Sequence, residues 1–449
     1  MKNRGLICYG ILGLPLAMVS LPLYVQLPAF YSNQFHLSLS SIGYVLFAAR
    51  LLDTLQDPFL GGLISRHGLQ KKIWYIGASI AIILSFTALW LPQQQLLGSM
   101  TGLLIWLAFM LYIAYSAHSI LNISYLAWGA ALDRQSSNHK TDRKHTSATL
   151  LGAATWREAF ALIGVIVASI VPSVITSNSR LSSSQQSSYF LYYSMLFAAI
   201  LAFAVLCLLR FATRPNTTES SAASYGLVDE LKSVAADKIA RPLFIAYLMN
   251  SLAVALPASL MIFFVYRQIG SIEKLPQFLV SYFLAGAIGL PVWLSAATRF
   301  GSLKVWQFSL LIAIAAFVGA AFLGRGDVAA YTIICITSGL CLGADLVLPP
   351  VLLAERIQTA DRKASYFGIW TFLGKVALAC SGLSLPLMAY LESEVWLRKA
   401  SQGLIDNIGL ILCYALIPCA LKLLTFICLI GIRTTKHAQT IASEVHYVH

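Results

Sequence analysis

Twelve stretches of this 449-residue chain are each apolar enough, and long enough, to cross the roughly 30 Å hydrocarbon core of a bilayer as a helix. Their limits are 6–31, 39–64, 73–92, 100–129, 151–176, 189–211, 242–267, 276–298, 305–323, 328–353, 365–390 and 406–432. No other feature narrows the fold so far. In lipid, every backbone N–H and C=O must be satisfied inside the protein, which leaves helices and closed barrels as spanning forms. The runs are continuous, whereas barrel strands would alternate over about ten residues. The expected fold is an all-α polytopic membrane protein with twelve transmembrane helices. Composition agrees: 58% of residues are hydrophobic and 11% charged, against about 25% charged in soluble domains. A soluble enzyme, a nucleic-acid binder, a secreted disulfide scaffold and a disordered chain all fit poorly. The net charge of +13 does not imply nucleic acid, because the basic residues sit in short loops between apolar runs. The eight cysteines (Cys8, Cys207, Cys335, Cys341, Cys380, Cys413, Cys419 and Cys428) lie in or beside apolar runs without C-x-x-C spacing, and read as small buried apolar residues. Lys2 and Arg4 precede an apolar run that reaches about Tyr31 without a small-residue cleavage site, so it reads as a first span and not a signal peptide.

Lysine and arginine set the expected orientation. With both termini in the cytoplasm, and residues at span ends counted with the adjoining loop, inside loops collect 21 basic residues, outside loops 6, and the spans 4 (Arg50, Arg157, Lys375 and Lys422). The expected location is the cytoplasmic (inner or plasma) membrane. The longest polar stretch, 212–241, includes Arg214-Pro215-Asn216-Thr217-Thr218 and has room for a short amphipathic helix near Val228–Ala236. It separates an N-terminal six-helix bundle (1–211) from a C-terminal one (242–433), and a cytoplasmic tail follows at 434–449. The halves are related. Pro58-x7-Arg66-x-Gly68-x-x-Lys71 returns 233 residues later as Pro291-x7-Arg299-x-Gly301-x-x-Lys304, each closing the second span of its half. A weaker echo is Asp133-Arg134 after span four and Glu355-Arg356 after span ten. Paired six-helix halves suit a carrier that rocks one bundle against the other around a midplane site. The loop Gly62-Leu-Ile-Ser-Arg66-His-Gly68-x-x-Lys71-Lys72 resembles the signature loop of the major facilitator superfamily, which implies that fold and makes Gly62, Arg66, Gly68, Lys71, Arg299, Gly301 and Lys304 candidate gating-loop residues. Ser65 stands where that signature usually has Asp, a loss expected to weaken the charge network latching the inside face.

An Asp or Arg at the centre of a membrane helix costs about 2.5–3.5 kcal/mol on insertion scales, so such residues face a cavity or a partner. Span two carries Arg50, Asp53 and Asp57. At 100° per residue the two acids fall within about 60° and 20° of Arg50. Two carboxylates one turn apart repel when both are ionised, and a cation or a shared proton relieves this. Arg50 could hold the site once the cation has left. The alternative is a permanent buried ion-pair network. Arg50-x-x-Asp53-x-x-x-Asp57-Pro58 resembles the second-helix motif of the glycoside–pentoside–hexuronide:cation symporters, where the two acids form the cation site. Tyr9-Gly10, Tyr125 within Asn122-Ile-Ser-Tyr, Arg157 and Lys375 also fall where that family has comparable residues. The resemblance implies a cation site of Asp53, Asp57, Gln56 and Ser119, with Arg50 and Lys375 as charge partners. Two acids that clamp sugar hydroxyls in the family align with Ala17 and Asn122, so charged clamping of a sugar is not expected here. Gln56 replaces an Asn of the family's sodium site, and the longer amide favours a proton over sodium as coupling ion.

Other intramembrane polar residues allow two readings each. His118, one turn before Asn122, could relay protons or bind substrate, or tie two helices together. Arg157 either faces the cavity or tethers helices; its neighbour Glu158 is not expected to pair with it, because adjacent helical residues do not share a face. Asp345 pairs with Lys375, or Lys375 reaches toward Asp53 and Asp57. Asn250 and Trp370 are further cavity candidates, and Lys422 is expected to snorkel toward an interface. Pro15, Pro22 and Pro28 interrupt span one, and Pro349-Pro350 end span ten. The chain shows no paired His or Cys-His metal spacing, no G-x-S-x-G elbow and no phosphate loop, so an enzyme is not expected. The expected function is cation-coupled symport of a small organic solute, a sugar or glycoside, by a monomer in the lipid bilayer. The expectation includes no cofactor, no metal beyond a sodium ion and no nucleic acid. Some animal relatives of the family move lysolipids, so a lysolipid or amphiphile carrier is the alternative, and a non-transporting membrane receptor is another.

Overall fold

The computed structural model describes residues 2–25, 27–69, 71–92, 99–132, 143–177, 183–212, 227–357, 362–393 and 407–432. Asp133-Arg134, most of the polar stretch with Arg214–Thr218, and the tail at 434–449 lie outside the described residues. In chain order the first helices are α1 (Lys2–Gly10), α2 (Gly13–Val25), α3 (Leu27–Phe35), α4 (Leu39–His67), α5 (Lys72–Trp90), α6 (Met100–Ala131), α7 (Arg143–Ser177), α8 (Ser183–Phe211) and α9 (Leu227–Ala235). Then follow α10 (Arg241–Phe264), α11 (Leu275–Phe300), α12 (Ser302–Val318), α13 (Val328–Arg356), α14 (Lys363–Ser381), α15 (Ser384–Ser393), α16 (Ile408–Ile411) and α17 (Ile417–Ile430). Single π turns extend α10 and join α16 to α17. Among the described residues, nine helical stretches are long and apolar enough to cross a membrane.

The other three expected spans show how local chemistry modifies a helix. Span one is broken near its start, between α1 and α2. Pro15 has no N–H to offer the Ile11 carbonyl, so the chain turns at Ile11-Leu12, and the Leu14 N–H bonds Ile11 O at 3.1 Å instead. Span eleven divides at Gly382-Leu383 into α14 and α15. Span two is unbroken: α4 opens where Ser38 Oγ accepts the Ser41 N–H at 3.1 Å, and runs 29 residues with Pro58 inside it. Its polar residues, Arg50, Asp53, Asp57 and Arg66 among them, lower its apolar content without breaking it. The expected amphipathic helix in the central stretch is α9, with Asp229 and Glu230 in its first turn.

The repeated loop motif has the same backbone twice. Helix α4 ends at Gly68 with φ +88°, and α11 ends at Gly301 with φ +89°. A side chain is strained there, which accounts for glycine at that point of both motifs. The chain divides into two compact units, Met1–Val234 with Ile357–Phe372, and Ala235–Arg356 with Leu373–His449. Thus the first turns of α14 group with the N-terminal bundle. Each unit has its own aromatic core. In the first, Trp90 stacks on Phe190 at 4.4 Å beside Phe30 and Phe86. In the second, Phe264 stacks on Tyr414 at 4.0 Å beside Tyr331. Large apolar side chains such as Ile80, Leu84, Phe109, Leu206 and Ile430 are exposed, as expected of surfaces that face lipid. Among the cysteines, Cys380 is exposed and Cys8 and Cys428 are half-buried, which corrects the reading of all eight as buried.

Candidate cation site, buried ion pair and loop latch

Helices α4 and α6 pack together in the first unit. Asp53 and Gln56 lie one turn apart on α4, as do Ser116 and Ser119 on α6, so two pairs of polar groups face each other across the contact. Ser119 Oγ donates to Asp53 Oδ1 at 2.9 Å, and Gln56 Nε2 donates to the same oxygen at 3.3 Å. Ser116 Oγ donates to Gln56 Oε1 at 3.0 Å. These bonds fix the amide with its N–H₂ turned to the carboxylate. Asp57, one turn along α4, is fully buried, and Asp53 is nearly so. Arg50, a turn before Asp53, is half-buried, and its carbonyl accepts from Thr54 Oγ1 at 2.8 Å. Three of the expected cation-site residues therefore share one hydrogen-bonded network, with the fourth on the next turn. Such a site can exchange the proton or ion that neutralises a carboxylate, since burial penalises the bare charge.

The remaining candidates separate. Tyr125, expected at the cavity, is instead buried in the core: its hydroxyl donates to Tyr9 O at 2.8 Å and the Tyr9 hydroxyl donates back to Tyr125 O at 3.1 Å. This reciprocal pair bridges α1 and α6 and replaces the cavity role as its physical account. A ring nitrogen of His118 lies 3.2 Å from Leu16 O, a contact between α6 and α2 of the helix-tying kind. Asn122 is half-buried on α6, and Trp370 is buried in the first-unit part of α14. Arg157 and Glu158 do pair, at 2.6 Å, contrary to expectation. Their Cβ atoms diverge, but a guanidinium on a long stem can fold back, and both side chains are largely buried, where an unpaired charge is costly.

In the second unit, Asp345 is held by Lys422 and not by Lys375. Lys422 Nζ donates to Asp345 Oδ2 at 2.7 Å and to Asn250 Oδ1 at 3.0 Å, and Trp306 Nε1 donates to Asp345 Oδ1 at 2.9 Å. Lys422 is thus buried in an ion pair and does not snorkel, and Asn250, 3% exposed, is its buried acceptor. Lys375 is half-buried on the part of α14 that belongs to the second unit.

The loop at the end of α4 meets residues of other elements that the sequence did not single out. Ser65 Oγ accepts the backbone N–H of Ser365 at 3.1 Å, one of the orphan donors at the start of α14. The two hydroxyls are hydrogen-bonded at 2.9 Å, and Ser365 gives its proton to Glu230 Oε1 at 2.5 Å. The other Glu230 oxygen pairs with Arg66 at 3.5 Å. Lys363 Nζ donates to the Ala130 carbonyl. The carboxylate absent at position 65 is therefore supplied by α9, at a helix N-terminus where negative charge is favoured. This corrects the expectation of a weakened network. The signal was the first-turn acid of an amphipathic helix, unreadable without its partner. In the second unit, Gly301 and Lys304 share a cleft of about 160 Å³ with Glu355 and Arg356, and the Arg299 guanidinium lies 5.4 Å from the Phe300 ring. Gly62 is buried in α4, and Lys71 is exposed beyond its end.

A bundle of apolar helices in two units, with carboxylates buried on a membrane helix and a repeated glycine-ended loop, defines an integral membrane protein of the major facilitator kind. Residues 8–436 match the family described as MFS/sugar transport protein, and the chain belongs to that family. Among curated proteins it is 21% identical over 439 residues to the sodium-dependent lysophosphatidylcholine symporter 1-A of Danio rerio, covering 89% of this chain and 80% of that protein. The fold is similar to that of the E. coli fucose:proton symporter FucP, with TM-score 0.69 and 19% identity over 96% of this chain and 98% of that one. It is also similar to the human organic anion transporter MFSD10, with TM-score 0.63 and 15% identity over 95% and 99% of the two chains. Family and fold are those of transporters and not of enzymes.

Proposed function

We propose that this transporter is a cation-coupled symporter that moves a small organic solute by alternating access, with the proton as coupling ion in preference to sodium. The observation that carries the reading is the Ser119–Asp53–Gln56–Ser116 network. Both groups described on Asp53 Oδ1 are donors, and the amide oxygen that a sodium ion would use already accepts one hydrogen bond, from Ser116. Protonation of a carboxylate so placed needs no further oxygen ligands. Asp53 and Asp57 are the exchange groups, Gln56 and Ser119 position Asp53, and Arg50 stabilises the emptied site. Asn122, His118, Arg157 and Trp370 are the residues nearest in role to a solute cavity. The protein acts as a monomer with both termini cytoplasmic, an orientation supported by the basic-residue bias, and needs no cofactor. A sugar or glycoside is the first reading of the solute, supported by the family description. A lysolipid is the second, supported by the Danio rerio relative's name and by Ala17 and Asn122, where a sugar clamp would want acids.

The experiment uses the full chain in proteoliposomes loaded with a pH-sensitive dye. A panel of glycosides and lysophospholipids is added outside, with and without sodium. One panel member should drive proton entry in sodium-free buffer, and Asp53→Asn should abolish it. Solute entry that requires sodium and moves no protons would overturn the choice of ion. Solute accumulation unchanged in Asp53→Asn and Asp57→Asn would remove the mechanism, and no solute movement at all would favour a receptor.

A further inference from the structure

The second unit holds a partly open cavity of about 360 Å³, within the range of small-molecule sites. One wall is a strip of α13: Tyr331, Cys335, Ser338, Leu342 and Asp345 recur every three or four residues and share a face. At 1.5 Å per residue that strip is about 21 Å long. The opposing walls are apolar, with Met261, Phe283 and Phe317 among them. At one end the hydroxyls of Tyr331 and Tyr414 satisfy each other at 2.6 Å. At the other stand Asp345 and Lys422. The space is therefore elongated, greasy along its length and strongly polar at one pole.

The pole has capacity left over. Lys422 uses two of its three N–H donors, on Asp345 and Asn250. Each Asp345 oxygen accepts one bond, from Trp306 or Lys422, and keeps a second lone pair. A buried ion pair adds little to stability compared with an apolar replacement, whereas an ionisable pair lining an intramembrane cavity marks a functional site. Asp345 and Lys422 together are neutral. A head group with net charge would enter a low-dielectric space without compensation. A neutral head with both donors and acceptors, or a zwitterion, can bond both members at once.

We infer that this cavity is a ligand site for a single-chain amphiphile of zero net charge, its tail along the α13 strip and its head on Asp345 and Lys422. The site is separate from the Asp53 network, and occupancy requires no ion gradient.

The test is photolabelling of the full chain in nanodiscs, with no gradient. Four probes share one alkyl tail carrying a diazirine, and differ in head: glucoside, phosphocholine, carboxylate and ammonium. The glucoside and phosphocholine arms distinguish a glycoside from a zwitterionic lipid as the source of the head. At least one of these two should label residues between Tyr331 and Leu342, be displaced by unlabelled amphiphile, and exceed both charged probes at least tenfold. Leu342→Trp, which fills the cavity, should cut that labelling at least tenfold. Asp345→Asn leaves the ammonium of Lys422 and should shift preference to the carboxylate probe. Lys422→Gln should shift it to the ammonium probe. If those two variants fold poorly, Leu342→Trp and the head-group series still decide. Labelling confined to lipid-facing residues, or labelling of the strip indifferent to head charge and to Leu342→Trp, would overturn the inference while leaving the proton-coupling assay untouched.

Discussion

The two copies of the repeated loop have one backbone and two sets of partners. Gly68 and Gly301 end their helices at nearly the same positive φ, after prolines at equivalent places. The residues three before those glycines are both hydroxylic, yet they behave differently. Ser65 is buried and caps the start of α14, whereas Thr298 is exposed and its hydroxyl bonds back to Ser295 O at 2.8 Å. In the first copy the hydroxyl cluster is bonded to an acid, Glu230, from a helix 165 residues away, whereas in the second the acid in the neighbouring cleft is Glu355, from the end of α13. Short sequence motifs set local backbone shape; whether that shape latches anything depends on what the rest of the chain delivers to it.

The sharpest way to break the comparison is to restore the acid that the signature loop usually carries. Ser65→Asp would place a second carboxylate against Glu230 in a buried site, and should destabilise the protein by several kcal/mol, on the order of 3. Thermal unfolding in micelles would measure it, and Glu230→Gln in the same chain should recover most of the loss. Glu230→Gln alone removes the charge but keeps a polar group, and should cost about 1–3 kcal/mol by the same measurement. Gly68→Val and Gly301→Val force a branched side chain into the left-handed region, and each should cost about 1–2 kcal/mol. Near-equal melting shifts for the two would sharpen the claim that the backbones are equivalent, and a large inequality would break it. Thr298→Ala should change stability by no more than about 0.5 kcal/mol, as an exposed hydroxyl bonded to its own helix.

The fold was legible because hydrophobic length is a property of contiguous sequence, and so was the repeat, because proline and glycine act within a turn of themselves. Asp53 and Ser119 were legible through a motif. Lys422 was not assignable to Asp345, since the chain has several intramembrane cations and nothing local ranks them. Arg157 and Glu158 were misjudged for a different reason. The rule that neighbours diverge holds for Cβ atoms, and burial gave two long side chains reason to defeat it. Glu230 was legible as a helical acid and illegible as a latch.

Where α4 meets the beginning of α14, Gly61 and Gly368 are so close that a methyl group on Gly61 would lie 2.5 Å from Ala364 O, and one on Gly368 2.8 Å from Asp57 O. Bare main chain lies against bare main chain at that point. Such a contact has no slack: a single added carbon at either glycine would have to prise the two helices apart before it could fit.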